Sequence, residues 1–588
     1  VVRVILALIL LFALALRLLG IGWGLPNILH YFSYHPDETH ILMACTPAWG
    51  GLNLFAGHIL PSFYNYGSLQ LYLINIAVSF GSAYGAIGPV VDRTGIVVQP
   101  VAWSHAFLAA RLLTVLMGTA TVWVVYAIGS RLWSQTAGLV AALLLALMPL
   151  HAQHSHFATV DVPATLWITL SLLWSIHAWQ DTVKVNRAFL LAGVLAGLAT
   201  ATKYNSALVF LPVIVASFLR PTPALRATPP ASGGGGSVNK ASGSGNEHGK
   251  LASPSRSVAQ SASANLGKGA GGLGVGLLGF LLAFILACPG AILDNHKFVS
   301  DFLFEARHVS QQGEIYFQQT GLGWVYIITR NLDAGLGLPL LLLSLAGIGY
   351  AIWRRKSEDW LLLAFALPYY LVIGAAQSRY ARYEIPLLPV LALWSARFLV
   401  DFGAIKDPRR PAAIAIGALV VLFTLADTLF LLKPMTVADP RDRAAIWLQQ
   451  NAPAPTPIGF TSTPWFWSPA VNPYFGLPGV GQWKQVVPLD QAARFIYNPD
   501  KAFDAQQLEG AHPPFVALTE SEYFDYLRLR KLDALAYLSE LSRDYRLAAT
   551  FSDLHPMGGD RSIDGLPIQD LPPDMLYPSP HILVFTRR

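Results

Sequence analysis

Long apolar runs separated by short polar turns set the pattern of the first three quarters of the chain. The runs are Val4–Leu19, Ala106–Ile128, Gly138–Leu150, Val162–Ala178, Ala188–Thr202, Ala207–Leu219, Leu273–Ile292, Leu336–Trp353, Trp360–Gly374, Ile385–Val400 and Ala412–Leu432. Each reads as a helix built for the hydrocarbon layer of a membrane, which is about 30 Å thick. The alternating segments of an outer-membrane barrel are absent. The pattern predicts a polytopic α-helical membrane protein.

One further run, Leu69–Ile87, is apolar enough to span, and the basic residues decide how to read it. Let the N-terminus be cytoplasmic and this run not cross. The inner loops then collect Arg131, Lys184 and Arg187, Arg354 to Lys356, and Lys406, Arg409 and Arg410. They also take the longer segment from Arg220 to Lys268, while residues 20–105 hold only Arg93. That is the asymmetry expected of cytoplasmic loops. Leu69–Ile87 is therefore expected on or partly in the outer leaflet, as an interfacial or re-entrant helix. Eleven spans remain.

Two segments break the pattern. Pro221–Gly272, with "ASGGGGSVNKASGSGNEHGK", has too little apolar content to offset chain entropy and reads as a disordered cytoplasmic linker. From Lys433 to Arg588 the chain is mixed, rich in proline and aromatics, and has no spanning run. "DPRDRAAIWLQQN" predicts an amphipathic helix starting near Asp439 or Asp442, "SEYFDYLRLRKLDALAYLSEL" further helix, and "HILVFTRR" a terminal strand. The expected organisation is a membrane domain, 1–432, and an extracytoplasmic α/β or α+β domain, 433–588.

Composition agrees. The 588 residues are 54% hydrophobic and 13% charged, against roughly 25% charged in soluble chains. Mean hydropathy is +0.46. The net charge of +6 is spread between apolar runs, so it reads as topology-setting charge and not as a nucleic-acid surface. Two cysteines, Cys45 and Cys288, exclude a disulfide scaffold and a cysteine metal cage; they could pair if both lie near the outer face. Val4–Leu19 lacks a small-residue cleavage site and reads as a retained signal anchor.

With this topology the unusual polar groups converge on the outer side. "YHPDETH" puts His35, Asp37 and Glu38 after the first span, and "HAQHSHFATVDVPATLW" puts Asp161 before the fourth. "ATKYNSAL" puts Lys203 and Tyr204 at the turn between the fifth and sixth, and "AQSRYARYEIP" puts Arg379, Arg382, Tyr383 and Glu384 before the tenth. Ionisable groups near membrane depth are costly and mark function. Each also has a plain structural reading: Asp37, Glu38 and Asp161 as helix caps, Lys203 as a snorkelling side chain, and the arginines as headgroup anchors. His151, His154 and His156 have poor spacing for zinc.

Carboxylates can accept a proton from a hydroxyl, and Lys or Arg can hold phosphate. At a bilayer surface, that mixture suits a molecule with a lipid tail, a phosphate and a sugar. No P-loop signature is present. A transporter or flippase of a lipid-linked sugar is the alternative, although transporters usually place polar sites near the midplane. A scaffold presenting the C-terminal domain would leave the acid and base clustering unexplained.

At these residues the sequence resembles the lipid-phosphate-sugar-dependent glycosyltransferases of the GT-C superfamily. That group includes the protein O-mannosyltransferases and the aminoarabinose transferases acting on lipid A. The matching features are "HPDE", "PSFYNYGSLQLY", "ARLLTVLMGTATVWVVYAIGSRLW", "SHFATVDVPATLW", "GLATATKYNSAL" and "RYARYEIPLLPVLAL", in this order. The resemblance implies a GT-C-like fold with interfacial helices in the first outer loop, and transfer with inversion at the anomeric carbon. By position, Asp37 matches the acidic residue regarded as catalytic base, with Glu38 its neighbour in the motif. Asp161 matches an acidic position of the acceptor or donor site. Lys203, beside Tyr204, and Arg379 and Arg382 match phosphate-binding positions, and His35 and Tyr383 are supporting residues. The implied partners are a polyprenyl-phosphate sugar donor, a protein, lipid or glycan acceptor, and membrane lipid, with no nucleic acid. Some relatives hold a divalent cation with Asp-x-Asp; "VDVPAT" has a single Asp, so no cofactor is required by the motif, with a divalent cation as the alternative. The implied location is multi-pass in the cell membrane, with the site and C-terminal domain extracytoplasmic. The aromatic stretch Ser462–Trp483 reads as core and loop packing, with stacking on an acceptor sugar as the alternative.

Overall fold

Every predicted spanning run is helical in the computed structural model, which describes residues 1–46, 51–83, 100–181, 183–219, 255–311, 313–404, 408–452, 456–470, 495–553 and 561–588. The chain opens with α1 (Val2–Leu18), followed by α2 (Pro36–Ala44), α3 (Ser68–Ala83) and α4 (Pro100–Leu132). Next come α5 (Gln135–Leu147), the short α6 (Pro149–His154), α7 (Asp161–Gln180), α8 (Val185–Thr200) and α9 (Phe210–Phe218). α10 (Ser255–Ala287) leads through α11 (Gly290–Leu293) to α12 (Asn295–Gln311). The one-turn helices α13 (Gly323–Tyr326) and α14 (Asp333–Leu336) precede α15 (Leu338–Arg354), α16 (Ser357–Ala375), α17 (Leu388–Phe402) and α18 (Arg410–Leu432). Among the described residues four stretches are long and apolar enough to cross a membrane: Val101–Leu132, Ser357–Ala375, Ala381–Phe402 and Arg410–Asn451. Other predicted runs form shorter apolar helices, Gln135–Leu147 and Val185–Thr200 among them.

Small residues let the helices approach closely. A Cβ on Gly193 of α8 would lie 1.9 Å from the carbonyl oxygen of Gly276 in α10, so only glycine permits this crossing. α10 begins at Ser255, so residues 255–272 are helical where a linker was expected; residues 221–254 of that linker lie outside the described part. The helix nucleated by the apolar run extends backwards through this Ala- and Ser-containing stretch, because adding a residue to an existing helix is far easier than starting one.

The predicted interfacial run is α3, with residues 84–87 outside the described part. α2, α3 and the first half of α4 share a core of Ile41, Leu42, Leu71, Ile74, Trp103 and Phe107. The Leu69 N–H donates to the Ala201 carbonyl at 3.0 Å, tying the start of α3 to the end of α8. Cys45 and Cys288 are buried and unpaired. α12 carries no buried residue and exposes Val299, Phe302, Leu303 and Phe304 beside charged positions, the make-up of a surface-lying amphipathic helix.

After α18 comes the predicted helix α19 (Pro440–Asn451), capped by Asp439, whose carboxylate accepts from the Arg441 N–H. The mixed sheet runs β2-β1-β3-β7-β4, with β1 (Ile458–Phe460) parallel to β2 (Phe495–Ile496) and β3 (Phe515–Thr519). The terminal strand β7 (Ile582–Arg587) lies antiparallel between β3 and β4 (Tyr545–Phe551). Helices Glu520–Arg528 and Leu532–Asp544 replace the single predicted helical stretch, and a hairpin pairs β5 (Arg561–Ile563) with β6 (Leu566–Ile568). The sequence boundary at 432/433 is not a boundary in packing. Leu16, Phe157 and Leu432 share a core with Met435, Phe466 and Tyr577, and Met575 is buried in the main core of the helical bundle.

Candidate active site

A cavity of about 1500 Å³ lies between the helical bundle and the C-terminal unit. Asp37, Asp161, Lys203, Tyr204, Arg382 and Tyr383 all line it. The structure thus brings together six of the nine candidate residues; His35, Glu38 and Arg379 are not on the cavity wall.

Pro36 starts α2, with its fixed φ and missing N–H suited to the first turn. Asp37 and Glu38 follow in that turn, about 100° apart around the helix, so they cannot share a face. Asp37 is 22% exposed, and its Oδ2 lies 3.2 Å from Nη2 of Arg382. Arg382 in turn covers the Tyr380 ring at 4.0 Å. Across the same floor, Lys203 Nζ donates to Asp161 Oδ1 at 2.5 Å and sits 4.6 Å from the centre of the Tyr383 ring. Tyr383 therefore stands between two ion pairs, touched by both cations. Tyr204 donates its hydroxyl to the carbonyls of Tyr64 and Tyr66, each at 2.9 Å, joining the α8–α9 turn to the segment before α3.

Glu38 points the other way and is fully buried. Arg111 of α4 grips it from two sides, Nε to Oε1 at 2.8 Å and Nη2 to Oε2 at 2.6 Å. The Ser33 hydroxyl and the Ala158 N–H also donate to it, at 2.5 and 2.6 Å. Burial pushes its carboxyl up, but Arg111 and these hydrogen bonds outweigh that and hold it below the usual carboxylate range. Glu38 ties α2 to α4 and to the turn before α7. His35 packs its ring 4.5 Å from Phe157 and 5.1 Å from Tyr577, with neither ring nitrogen hydrogen-bonded. Burial keeps it neutral by lowering its proton affinity. Arg379 donates to Thr320 Oγ1 at 2.7 Å and to the Gly321 carbonyl at 2.8 Å, which makes it a brace for the loop before α13.

The sequence reading did not single out three contributors: Arg111, Glu305 and Asp574. Arg111 stands inside an apolar helix, and its charge there was the available signal. Glu305 lines the cavity from α12 and accepts from Asn65 Nδ2 at 3.3 Å. Asp574 hydrogen-bonds the backbone in front of α17 from the C-terminal unit, with no local signal beyond its place in "LPPDMLYP". Glu384 is buried and accepts from Asn331 Nδ2 at 3.1 Å, away from the cavity. Trp465, Phe466 and Trp467 line the cavity from the C-terminal unit, with Phe466 in the core and the two tryptophans half-buried. Trp465 meets the His40 ring at 6.0 Å, one turn along α2 from Asp37. Residues 471–483 of that aromatic stretch lie outside the described part.

His151 engages Arg17 through Nδ1 at 2.8 Å, and His156 engages the Leu19 carbonyl through Nε2 at 2.9 Å, so both are packing residues. Among the described residues no group of three or more His, Cys, Asp and Glu side chains is arranged to hold a metal ion.

Residues 103–229 match the family model of the dolichyl-phosphate-mannose-protein mannosyltransferases, over less than half of the chain. No curated protein matches it. Among solved structures, the apo oligosaccharyltransferase of Archaeoglobus fulgidus aligns with a TM-score of 0.47 and 15% identity, covering 96% of this chain and 75% of that one. ArnT from Cupriavidus metallidurans, bound to undecaprenyl phosphate, aligns with a TM-score of 0.46 and 12% identity over 98% and 97% of the two chains. Mycobacterial arabinofuranosyltransferase AftD aligns with a TM-score of 0.40 and 13% identity over 99% of this chain and 41% of its own. Residues 103–229 are thus similar to the protein mannosyltransferase branch of the superfamily that the sequence motifs resemble.

Proposed function

We propose that this chain is an integral-membrane, inverting glycosyltransferase. It moves a sugar from a polyprenyl-phosphate donor to an acceptor hydroxyl, at a site on the outer face of a membrane crossed eleven times. One observation carries the reading: a partly exposed carboxylate, Asp37, shares a cavity floor with two cations, Arg382 and Lys203. The wall beside them is apolar and belongs to a membrane-crossing helix, with Val372 and Ile373 of α16, and Phe302 and Phe304 of α12 join it. That wall suits an isoprenoid tail whose phosphate meets the two cations.

The reaction is a single displacement. The acceptor oxygen attacks the anomeric carbon, its proton passes to the Asp37 carboxylate, and the bond to phosphate oxygen breaks with its electron pair on that oxygen. Polyprenyl phosphate leaves, held by Lys203 and Arg382. Phosphate is a good leaving group, so positioning and charge compensation supply most of the catalysis. Arg382, paired with Asp37 before donor binds, turns toward phosphate and leaves the carboxylate free to take a proton. Asp161 orients Lys203, Tyr383 spaces the cations, and Tyr204 holds the surrounding loop. Glu38 and His35 act behind the site, Glu38 by fixing the rotation of α2. The acceptor, whether protein, lipid or glycan, enters from the side of Trp465 and the C-terminal unit.

The test uses purified protein in detergent with a labelled polyprenyl-phosphate sugar. Release of polyprenyl phosphate that Asp37→Asn abolishes supports the transferase. Movement of intact lipid-linked sugar across liposomes, without cleavage, would replace it with a transporter.

A further inference from the structure

The strap Gln569–His581 joins the hairpin β5–β6 to β7, yet it does not stay with the C-terminal unit. Its Leu571 carbonyl accepts from Arg330 and its Met575 carbonyl from Gln153 Nε2 at 3.1 Å, both in the helical bundle, while its Tyr577 carbonyl accepts from Arg441 of α19 at 2.6 Å. At its centre is Asp574, fully buried and absent from the cavity wall. Its two carboxylate oxygens accept the backbone N–H groups of Ala381, at 3.0 Å, and Arg382, at 2.8 Å. These are the first residues of the turn Ala381–Leu387 that runs into α17, where N–H groups have no partner within the helix. Asp574 thus caps that turn from nearly two hundred residues away in the chain.

The same carboxylate also acts on the Arg382 side chain. Arg382 Nη1 lies 3.7 Å from Asp574 Oδ2 and has no hydrogen-bond partner among the described residues, while Nη2 reaches Asp37. The guanidinium is held between two carboxylates, one on the cavity floor and one behind it. The other cationic candidate near Asp574, His154, is 3.8 Å away and makes no hydrogen bond through either ring nitrogen. Asp574 therefore controls both the backbone from which Arg382 springs and part of the charge that Arg382 feels.

We propose that Asp574 is a positioning residue of the reaction centre: it aims Arg382 at Asp37 and the donor phosphate, so that the C-terminal unit completes the site. The proposal rests on the functional reading above, and its chemistry is simple. With the guanidinium balanced between Asp37 and Asp574, a phosphate can draw Arg382 away from Asp37 while Asp574 keeps the backbone in place. Without the Asp574 charge, Arg382 closes fully onto Asp37, which blocks the base and withholds the cation from phosphate. The effect travels through Arg382 alone.

The experiment measures donor KM and kcat by release of polyprenyl phosphate, and undecaprenyl phosphate binding by thermal shift, for Asp574→Asn, Asp574→Glu, Arg382→Lys and the double variant Asp574→Asn/Arg382→Lys. Asp574→Asn is expected to raise donor KM and weaken undecaprenyl phosphate binding by about tenfold or more, since small misplacements near a reaction centre are that costly. Asp574→Glu should recover part of this, and the double variant should be little worse than Arg382→Lys alone, because both changes act through one cation. Full activity in a folded Asp574→Asn protein, or losses that multiply in the double variant, would overturn the proposal. If Asp574→Asn does not fold, Pro572→Gly carries the test by loosening the strap: raised donor KM at unchanged melting supports the proposal, and unchanged KM sinks it. Wild-type protein that releases no polyprenyl phosphate would overturn the functional reading instead.

Discussion

The two faces of α2 carry adjacent carboxylates in opposite surroundings. On the cavity side Asp37 has one charged partner at 3.2 Å and remains partly exposed. On the core side Glu38 is saturated by Arg111, Ser33 and the Ala158 N–H. A group that has to change protonation and partners during a reaction cannot be satisfied in this way, and a group that fixes a helix has to be. The difference teaches that an acidic pair in sequence is two devices in space. Glu38 holds the rotation of α2, and that rotation delivers Asp37 to the floor.

Substitutions can break this contrast. Asp37→Asn is expected to lower transfer by about 10²–10⁴-fold, the usual share of general-base catalysis, with melting unchanged; polyprenyl phosphate release measures it. Glu38→Ala should do the reverse in kind. Leaving Arg111 buried and unpaired costs about 3–5 kcal/mol of stability, read as a lower melting temperature in detergent. Acid gives a gentler version of the same test. The Glu38 carboxyl is held low in the fold, so its contribution is complete above the unfolded value and disappears as pH falls through the lowered folded value. Melting temperature should therefore drop in acid for the wild type, and Glu38→Gln should lack that part of the drop. Lys203→Met is expected to raise donor KM by about tenfold, the worth of one charged contact to phosphate, with a smaller change in kcat. Trp465→Ala should be mildest. An aromatic contact worth about 0.5–1.5 kcal/mol predicts a few-fold weaker use of acceptor, with donor binding untouched.

Much of this was legible beforehand, for identifiable reasons. Each long apolar run had to become a helix, because in lipid a backbone must satisfy its own hydrogen bonds. Pro36 followed by two acids announced a helix start, and "HILVFTRR" announced a strand. The convergence of Asp37, Asp161, Lys203 and Arg382 was readable because basic loops oriented the chain and put all four at one end of their helices. The helix extending back to Ser255 was hidden by its linker-like composition.

What the sequence by itself determined is the set of helices and strands and the end of the bundle at which the charged residues gather. Both follow from local pattern and from the cost of burying charge. Only the tertiary structure decided which charge does what. Asp37 meets solvent and Glu38 does not because Arg111, seventy-three residues on, occupies one side of α2. The Arg382 backbone N–H is held by Asp574, which lies in a different unit of the chain. Such pairings depend on helix rotation and on contacts between residues distant in sequence, and no local pattern encodes either.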